Sequence, residues 1–347
     1  MLWLRPLVAL LVAATLSAQQ DTPNEVFTKI GTIDHPGLRE VSGLARSKTH
    51  PDTIWTHNDS GGGAVLFAIN TQGQTIIPKW MQGQFSATPM APKQQLWPGL
   101  RIELAANVDW EDVAVDGDKL YIADTGNNGN ARRDLSVYVL HEPNPSAVQI
   151  ATVFERFVVR YPDQREYPPQ MGKDWNAGSP GWDFDCEALF VADGKLHFIT
   201  KHRQIGSEPT YVAGTKLYRL DDPQPNKLNE LTYLGSHIAL FAPTGADVSP
   251  DGQVLAVSTM NAVWFFQRPT TGDNWFEGTA LCLRYPFEPQ AATNGGSSTL
   301  PQPPYETKLG KVEGITWLDD ATLLLANEPG ELYRVDTRGL GLRNTGK

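Results

Sequence analysis

One hairpin unit, written five times along the chain, constrains this fold more than any other feature of the sequence. Its clearest copy is residues 109–128, DWEDVAVDGDKLYIADTGNN. An acidic cluster, Asp109, Glu111 and Asp112, opens an apolar run at 113–115. Asp116-Gly117-Asp118 is turn chemistry, and a second apolar run at 120–123 leads back. Asp124, Asn127 and Asn128 close the unit. Because an antiparallel return reverses the chain, both polar clusters belong at one end. The other copies are REVSGLARS with its return strand ending Asn58-Asp59-Ser60-Gly61, FDCEALFVADGKLHFITKH at 184–202, TGADVSPDGQVLAVSTMN at 244–261 and VEGITWLDDATLLLANEPG at 312–330.

The acidic markers Glu40, Glu111, Glu187, Asp247 and Glu313 recur every 60–76 residues, which leaves room for about four strands per unit. Further strands read at 64–70 and 101–105, 135–140 and 151–160, 216–220 and 228–237, 262–267 and 279–286, and 331–336. Helical periodicity is scarce, and 26 Pro and 31 Gly favour turns. The expected fold is an all-β propeller of five four-stranded blades in one domain, 19–347. The lone strand at 25–34 closes the last blade and removes the open edges. Six blades stay open if an insertion hides a degenerate one. The insertions are 78–100, 161–182 and the low-complexity 288–305.

Residues 1–18 have a basic start, an apolar run at 7–16 and small residues Ser17 and Ala18. This is the pattern of a signal peptide cleaved near Ala18, and the run is about half of what a membrane span requires. The expectation is an exported protein, periplasmic or extracellular, with no span after signal removal. The formal net charge of −10 disfavours nucleic acid and anionic membranes as partners and suits cations or neutral ligands. Cys186 on an inner strand and Cys282 on an outer one are not expected to pair.

In a propeller the first strand of each blade lies nearest the axis. Five blades then bring Glu40 to Asn58 and Asp59, Glu111 and Asp112 to Asp124 and Asn127, Glu187 to Lys201 and His202, Asp247 to Thr259 and Asn261, and Glu313 to Asn327 and Glu328. Aligned on the Asp-Gly turns, Ala246 takes the Glu column and Asp247 matches Asp112, so the ring is four Glu and one offset Asp. Crowded carboxylates repel, and hard oxygen donors suit calcium. The expected metal residues are Glu40, Asp59, Glu111, Asp112, Asp124, Glu187, Asp247 and Glu313. The competing reading is that these acids cap strand ends or tie blades together. Asp124 begins an EF-hand-like run, but Leu135 stands where the closing Glu belongs. Lys201, His202 and Arg203 read either as one side of an anion pocket or as counter-ions for Glu187. His57 reads as a general base or a structural histidine. Trp55, Trp110, Trp264 and Trp317 read as packing, whereas Trp97, Trp175 and Trp182 fall in loops where a ligand could meet them. Serine-nucleophile elbows, His-Glu-x-x-His, phosphate loops and zinc spacings are absent.

The motifs SGLARS, DTIWTHNDSGG, DWEDVAV, LYIADTGNN, DCEALFV, TGADVSPDG and VEGITW resemble bacterial secreted propellers of largely unassigned activity, close to the group labelled "esterase-like activity of phytase". The resemblance spans 40–335 and implies an exported propeller. Its link to calcium-dependent propeller phytases implies a multi-calcium acidic cleft with basic residues for phosphate. Two functions remain: a cation-binding propeller that recognises a ligand or partner, and a calcium-dependent hydrolase of phosphoesters or lactones.

Overall fold

The computed structural model describes residues 26–89, 91–167, 182–204, 210–287 and 307–342. The expected signal peptide, Trp175 and most of the insertions at 161–182 and 288–305 lie outside them. Five sheets, antiparallel except at the outer edges of blades 1 and 2, follow one another as blades around an axis. Their innermost strands are Val41–Arg46, Trp110–Asp116, Trp182–Ala192, Pro243–Val248 and Val312–Asp319. Each pairs with a return strand: Ile54–Asn58, Lys119–Asp124, Lys195–Gln204, Val254–Thr259 and Thr322–Asn327. Blade 5 is completed by the N-terminal strand Phe27–Thr32, antiparallel to Glu331–Asp336 with Phe27 opposite Val335. This closure is the one expected.

The apolar runs are continuous because both faces of every blade are covered. In blade 2, Leu120 and Ile122 face blade 1, while Tyr121 and Ala123 face blade 3. Five hydrophobic clusters result, one per junction. Burying a side chain such as Leu120 contributes about 2 kcal/mol. Trp55, Trp110 and Trp317 are fully buried in these junctions. Trp97 is buried as well, in the cluster between blades 5 and 1, and Trp182 lies on the innermost strand of blade 3 rather than in a loop. Neither is an exposed ligand platform. Both cysteines are free.

Two outer runs divide between blades. The expected strand at 151–160 is split: Ile150–Thr152 runs parallel to Leu100–Glu103 at the edge of blade 1, and Glu155–Arg160 belongs to blade 2. Likewise Leu228–Glu230 runs parallel to Glu155–Arg160 in blade 2, and Thr232–Ser236 completes blade 3. The connecting chain thus hydrogen-bonds to the blade it leaves before entering the next. The insertion at 78–100 is also less irregular than expected. It holds a single helical turn, Lys79–Met81, and a short parallel pair, Phe85–Ser86 with Gln95–Leu96.

Each innermost strand carries a one-residue bulge near its start. The residue left without a partner is Gly43, Glu111, Glu187, Thr244 or Glu313 in blades 1 to 5. Small residues beside the bulges let the strands converge. A Cβ on Gly43 would strike the Asp112 main chain, one on Gly245 the Glu313 carbonyl, and one on Gly314 the Leu44 side chain. The axis is therefore narrow, and bulge side chains meet there.

Candidate metal centre

The bulge column corrects the expected ring, because it contains three glutamates, one glycine and one threonine. Glu40 precedes the first strand, and its side chain is exposed. In blade 4 the hairpin turn is two residues longer than in blade 2, so aligning on Asp-Gly displaced the column. Thr244 occupies it, and Asp247 lies three residues further along the strand, opposite Ala256. Thr259 and Asn261 bond to each other instead.

Asp112 and Asp247 are inter-blade ties. Asp112 Oδ2 accepts the Leu189 N–H of blade 3 at 2.8 Å, and Oδ1 accepts its neighbour Val113 N–H at 2.8 Å. Asp247 Oδ2 accepts the Trp317 N–H at 2.8 Å and the Thr316 hydroxyl at 2.9 Å, both from blade 5. Bonds of this kind to a buried carboxylate orient it within the junction, away from the mouth. Asp124 is also engaged. Its Oδ1 accepts the Asp109 N–H at 3.0 Å and lies 3.0 Å from Arg132 Nη1.

Among the described residues, five acids form two clusters that share Glu111, and Glu313 joins neither. Asp59, Asp109 and Glu111 bring one oxygen each within 4.8 Å of one another, and so do Glu111, Asp185 and Glu187. Local structure accounts for this. Asp109 and Asp185 each stand two residues before a bulged Glu, so Asp-x-Glu places both carboxylates on the axial side. Blade 5 carries Lys311-x-Glu313 at the same positions. The Asn107 amide donates to the Asp59 carbonyl at 2.9 Å, tying the end of blade 1 to blade 2. The Asn128 amide donates to Asp109 Oδ2 at 3.3 Å. Gly126 passes directly over the pair, and a Cβ there would overlap Glu111 Oε1 and the Asp109 carboxylate.

The clusters differ in charge. In the inner one, Lys201 Nζ lies 2.5 Å from Glu187 Oε2, and Arg203 donates to Asp185 Oδ2 through Nε at 3.1 Å and Nη2 at 2.7 Å. Arg203 also donates to Asn128 Oδ1. The Tyr211 ring lies 4.9 Å from the ammonium and 4.5 Å from the guanidinium. Burial pulls the Lys201 pKa down, but Glu187, Glu313 and Asp185 outweigh it and hold the ammonium charged. Burial likewise opposes the Asp185 charge, and Arg203 and Lys201 outweigh it, so its pKa is lowered. In blade 5, Lys311 serves Glu313 and Glu328 at 2.6 Å each.

The outer cluster has no such partner. Among the described residues, no ion pair joins Asp59, Asp109 or Glu111 to a basic side chain, and no hydrogen bond reaches the Glu111 carboxylate. Glu111 is 3% exposed. Burial, then Glu187, Asp59, Asp185 and Asp109, all push its pKa well above the ordinary value. Burial, with Asp185 and Asp59, pushes Asp109 up to about 6 against the pull of Arg132 and Asn128. Asp59 is raised too, chiefly by burial. Asp59 and Asp109 are half-buried, so the cluster stays open to solvent.

The expected basic residues are placed as follows. Lys201 and Arg203 are buried in their ion pairs. His202 Nδ1 stands 3.7 Å from Asp183, and burial lowers its pKa. His57 is fully buried, with Nδ1 2.9 Å from the Asn58 carbonyl and its ring edge-on to Trp110. Burial lowers its pKa to about 4, so it is a neutral structural histidine. Asp109, Asp185, Arg132, Lys311 and Gly126 were missing from the expected set. The legible signal was Asp-x-Glu in two copies and Lys-x-Glu in a third.

No family model and no curated protein matches the chain. Among solved structures, a gluconolactonase from Xanthomonas campestris is 12% identical, with 91% of this chain and 93% of that one covered and a TM-score of 0.40. A luciferin-regenerating enzyme is 8% identical, with 90% and 96% covered and a TM-score of 0.38. A putative oxidoreductase (glucose dehydrogenase) from Thermus thermophilus is 10% identical, with 89% and 99% covered and a TM-score of 0.38. Likenesses this distant carry nothing about reaction or ligand.

Proposed function

We propose that this is an exported propeller whose axial mouth binds one divalent cation, calcium, on Asp59, Asp109 and Glu111, and that it acts as a ligand- or partner-binding module. The observation that carries this reading is the uncompensated outer cluster. Three carboxylates with oxygens within 4.8 Å of one another, one of them buried, have no cation of their own among the described residues. Carboxylate oxygens and water form the ligand set calcium favours, and a cation would offset the mutual repulsion. Binding is favoured over phosphoester hydrolysis by the state of the basic residues. Lys201 and Arg203, the basic groups that phosphate would require, are 1% and 7% exposed and already hold carboxylates.

The test is a calcium titration by calorimetry on the mature chain, with Asp109→Asn and Glu111→Gln beside it. One site that both substitutions weaken at least tenfold is the expected result. No heat of binding, or binding indifferent to both substitutions, removes the metal site. A phosphomonoester and lactone panel addresses the enzyme alternative: calcium-dependent turnover lost in Glu111→Gln would replace the binding-module reading.

A further inference from the structure

The inner cluster is filled by part of the protein itself. Asp185, Glu187 and Glu111, like the outer three acids, bring one oxygen each within 4.8 Å of one another. Lys201, 1% exposed, puts its ammonium against Glu187, beneath Tyr211. Glu111 faces both clusters, is nine-tenths buried, and lacks a hydrogen-bond or ion-pair partner among the described residues. Arg203 takes up the Asp185 charge and Lys201 the Glu187 charge, which leaves Glu111 as the member of the inner cluster with no cation among the described residues.

We infer that Lys201 is a tethered cation occupying a second, latent metal site, and that it limits the mouth to one divalent ion. The inner carboxylates are held in place by their bulged strands whether or not the ammonium is present. Replacing Lys201 by the neutral and shorter methionine side chain would leave Glu187 uncompensated, as Glu111 already is, and would free the position of the ammonium for an ion. A divalent cation would then bridge to the outer site through the shared Glu111. An arginine at position 201 would keep the site closed, since its charge is permanent. Lys201 is thus a specificity-determining residue for metal number. The inference rests on the outer-site reading only for the count in the unsubstituted protein.

The experiment is calcium calorimetry on the full mature chain, on Lys201→Met, on Lys201→Arg and on the double variant Lys201→Met/Glu187→Gln. Thermal melting of each, with and without calcium, accompanies it. The expected stoichiometries are one, two, one and one, and Lys201→Met should gain the largest melting-temperature rise from calcium. No binding in the unsubstituted protein but one ion in Lys201→Met would support the latent site and sink the outer one. Lys201→Met binding the same number of ions as the unsubstituted protein overturns the inference. So does a Lys201→Met that stays unfolded at every calcium concentration while the double variant folds, because calcium would then be unable to replace the ammonium.

Discussion

Glu111→Gln is the most informative single perturbation, because it keeps the shape of the side chain and removes only its charge. In the protein without calcium, Glu111 is buried among carboxylates and its folded pKa lies well above the ordinary 4.5. A group of this kind contributes stability that is complete below its unfolded pKa and is lost as pH rises through its folded pKa. Without calcium the protein should therefore lose stability as pH rises beyond 4.5, and Glu111→Gln should flatten that decline. Near neutral pH the substitution should cost less than about 1 kcal/mol or be stabilising, since no hydrogen bond or ion pair to Glu111 is broken. With calcium the order reverses. A free concentration a hundred times the dissociation constant stabilises the native state by about 2.7 kcal/mol. At about 2 °C per kcal/mol for a chain this large, the melting temperature rises about 5 °C. Glu111→Gln should abolish most of that rise. The assay is thermal melting at pH 5, 6, 7 and 8, with chelator or with calcium. Two results would refute the reasoning: a loss above about 2 kcal/mol in chelator, which would mean Glu111 makes a stabilising contact, or a calcium shift that survives intact.

Calcium affinity should itself depend on pH. Metal competes with protons for its ligands, and Asp109 sits at about 6, so each pH unit below 6 should weaken binding about tenfold, or more if Glu111 also releases a proton. Calorimetry from pH 5 to 8 checks this, and an affinity constant from pH 5 to 7 would contradict it. Gly126→Ala should weaken calcium at least tenfold and cost about 1–3 kcal/mol, because its methyl group meets both ligand carboxylates. Gly129→Ala, with no atom within 4 Å of the new carbon, should change calcium affinity little. Asp247→Ala should cost about 1–3 kcal/mol by leaving the Trp317 N–H of blade 5 without its acceptor. Denaturant unfolding should show that loss while calcium stoichiometry stays unchanged, and a lost calcium site would make Asp247 a ligand after all.

Much of the architecture was legible because it rests on local, repeated chemistry. The Asp-Gly turns marked the hairpins, and Gly117, Gly194 and Gly252 do adopt positive φ of 58°, 70° and 70° there. Counting the hairpins counted the blades, and the unpaired run near residue 27 pointed to the closure. The site was only half legible. Glu111 and Glu187 do face the axis, and Asp59 joins Glu111. Glu40, Asp112 and Asp247 were placed there by their position in a string of acids. A bulge shifts every later side chain by one place, and a longer turn shifts an alignment by two. Both faces of the innermost strands are buried near the bulges, so no change of polarity marks either shift.

The chain's own sequence determined the number of blades, the end at which the polar clusters gather and the excess of acid there, because turn residues and apolar runs act over a few neighbours. Tertiary structure alone decided which acids remain uncompensated. Lys201 reaches Glu187 across its own hairpin, Arg132 reaches back to Asp124, and Lys311 spans Glu313 and Glu328. These pairings form within single blades, whereas the closing of five sheets around one axis brings Asp59 of blade 1 to Asp109 and Glu111 of blade 2, where no ion pair reaches them among the described residues. The charge left over on Asp59, Asp109 and Glu111 is a property of that closure.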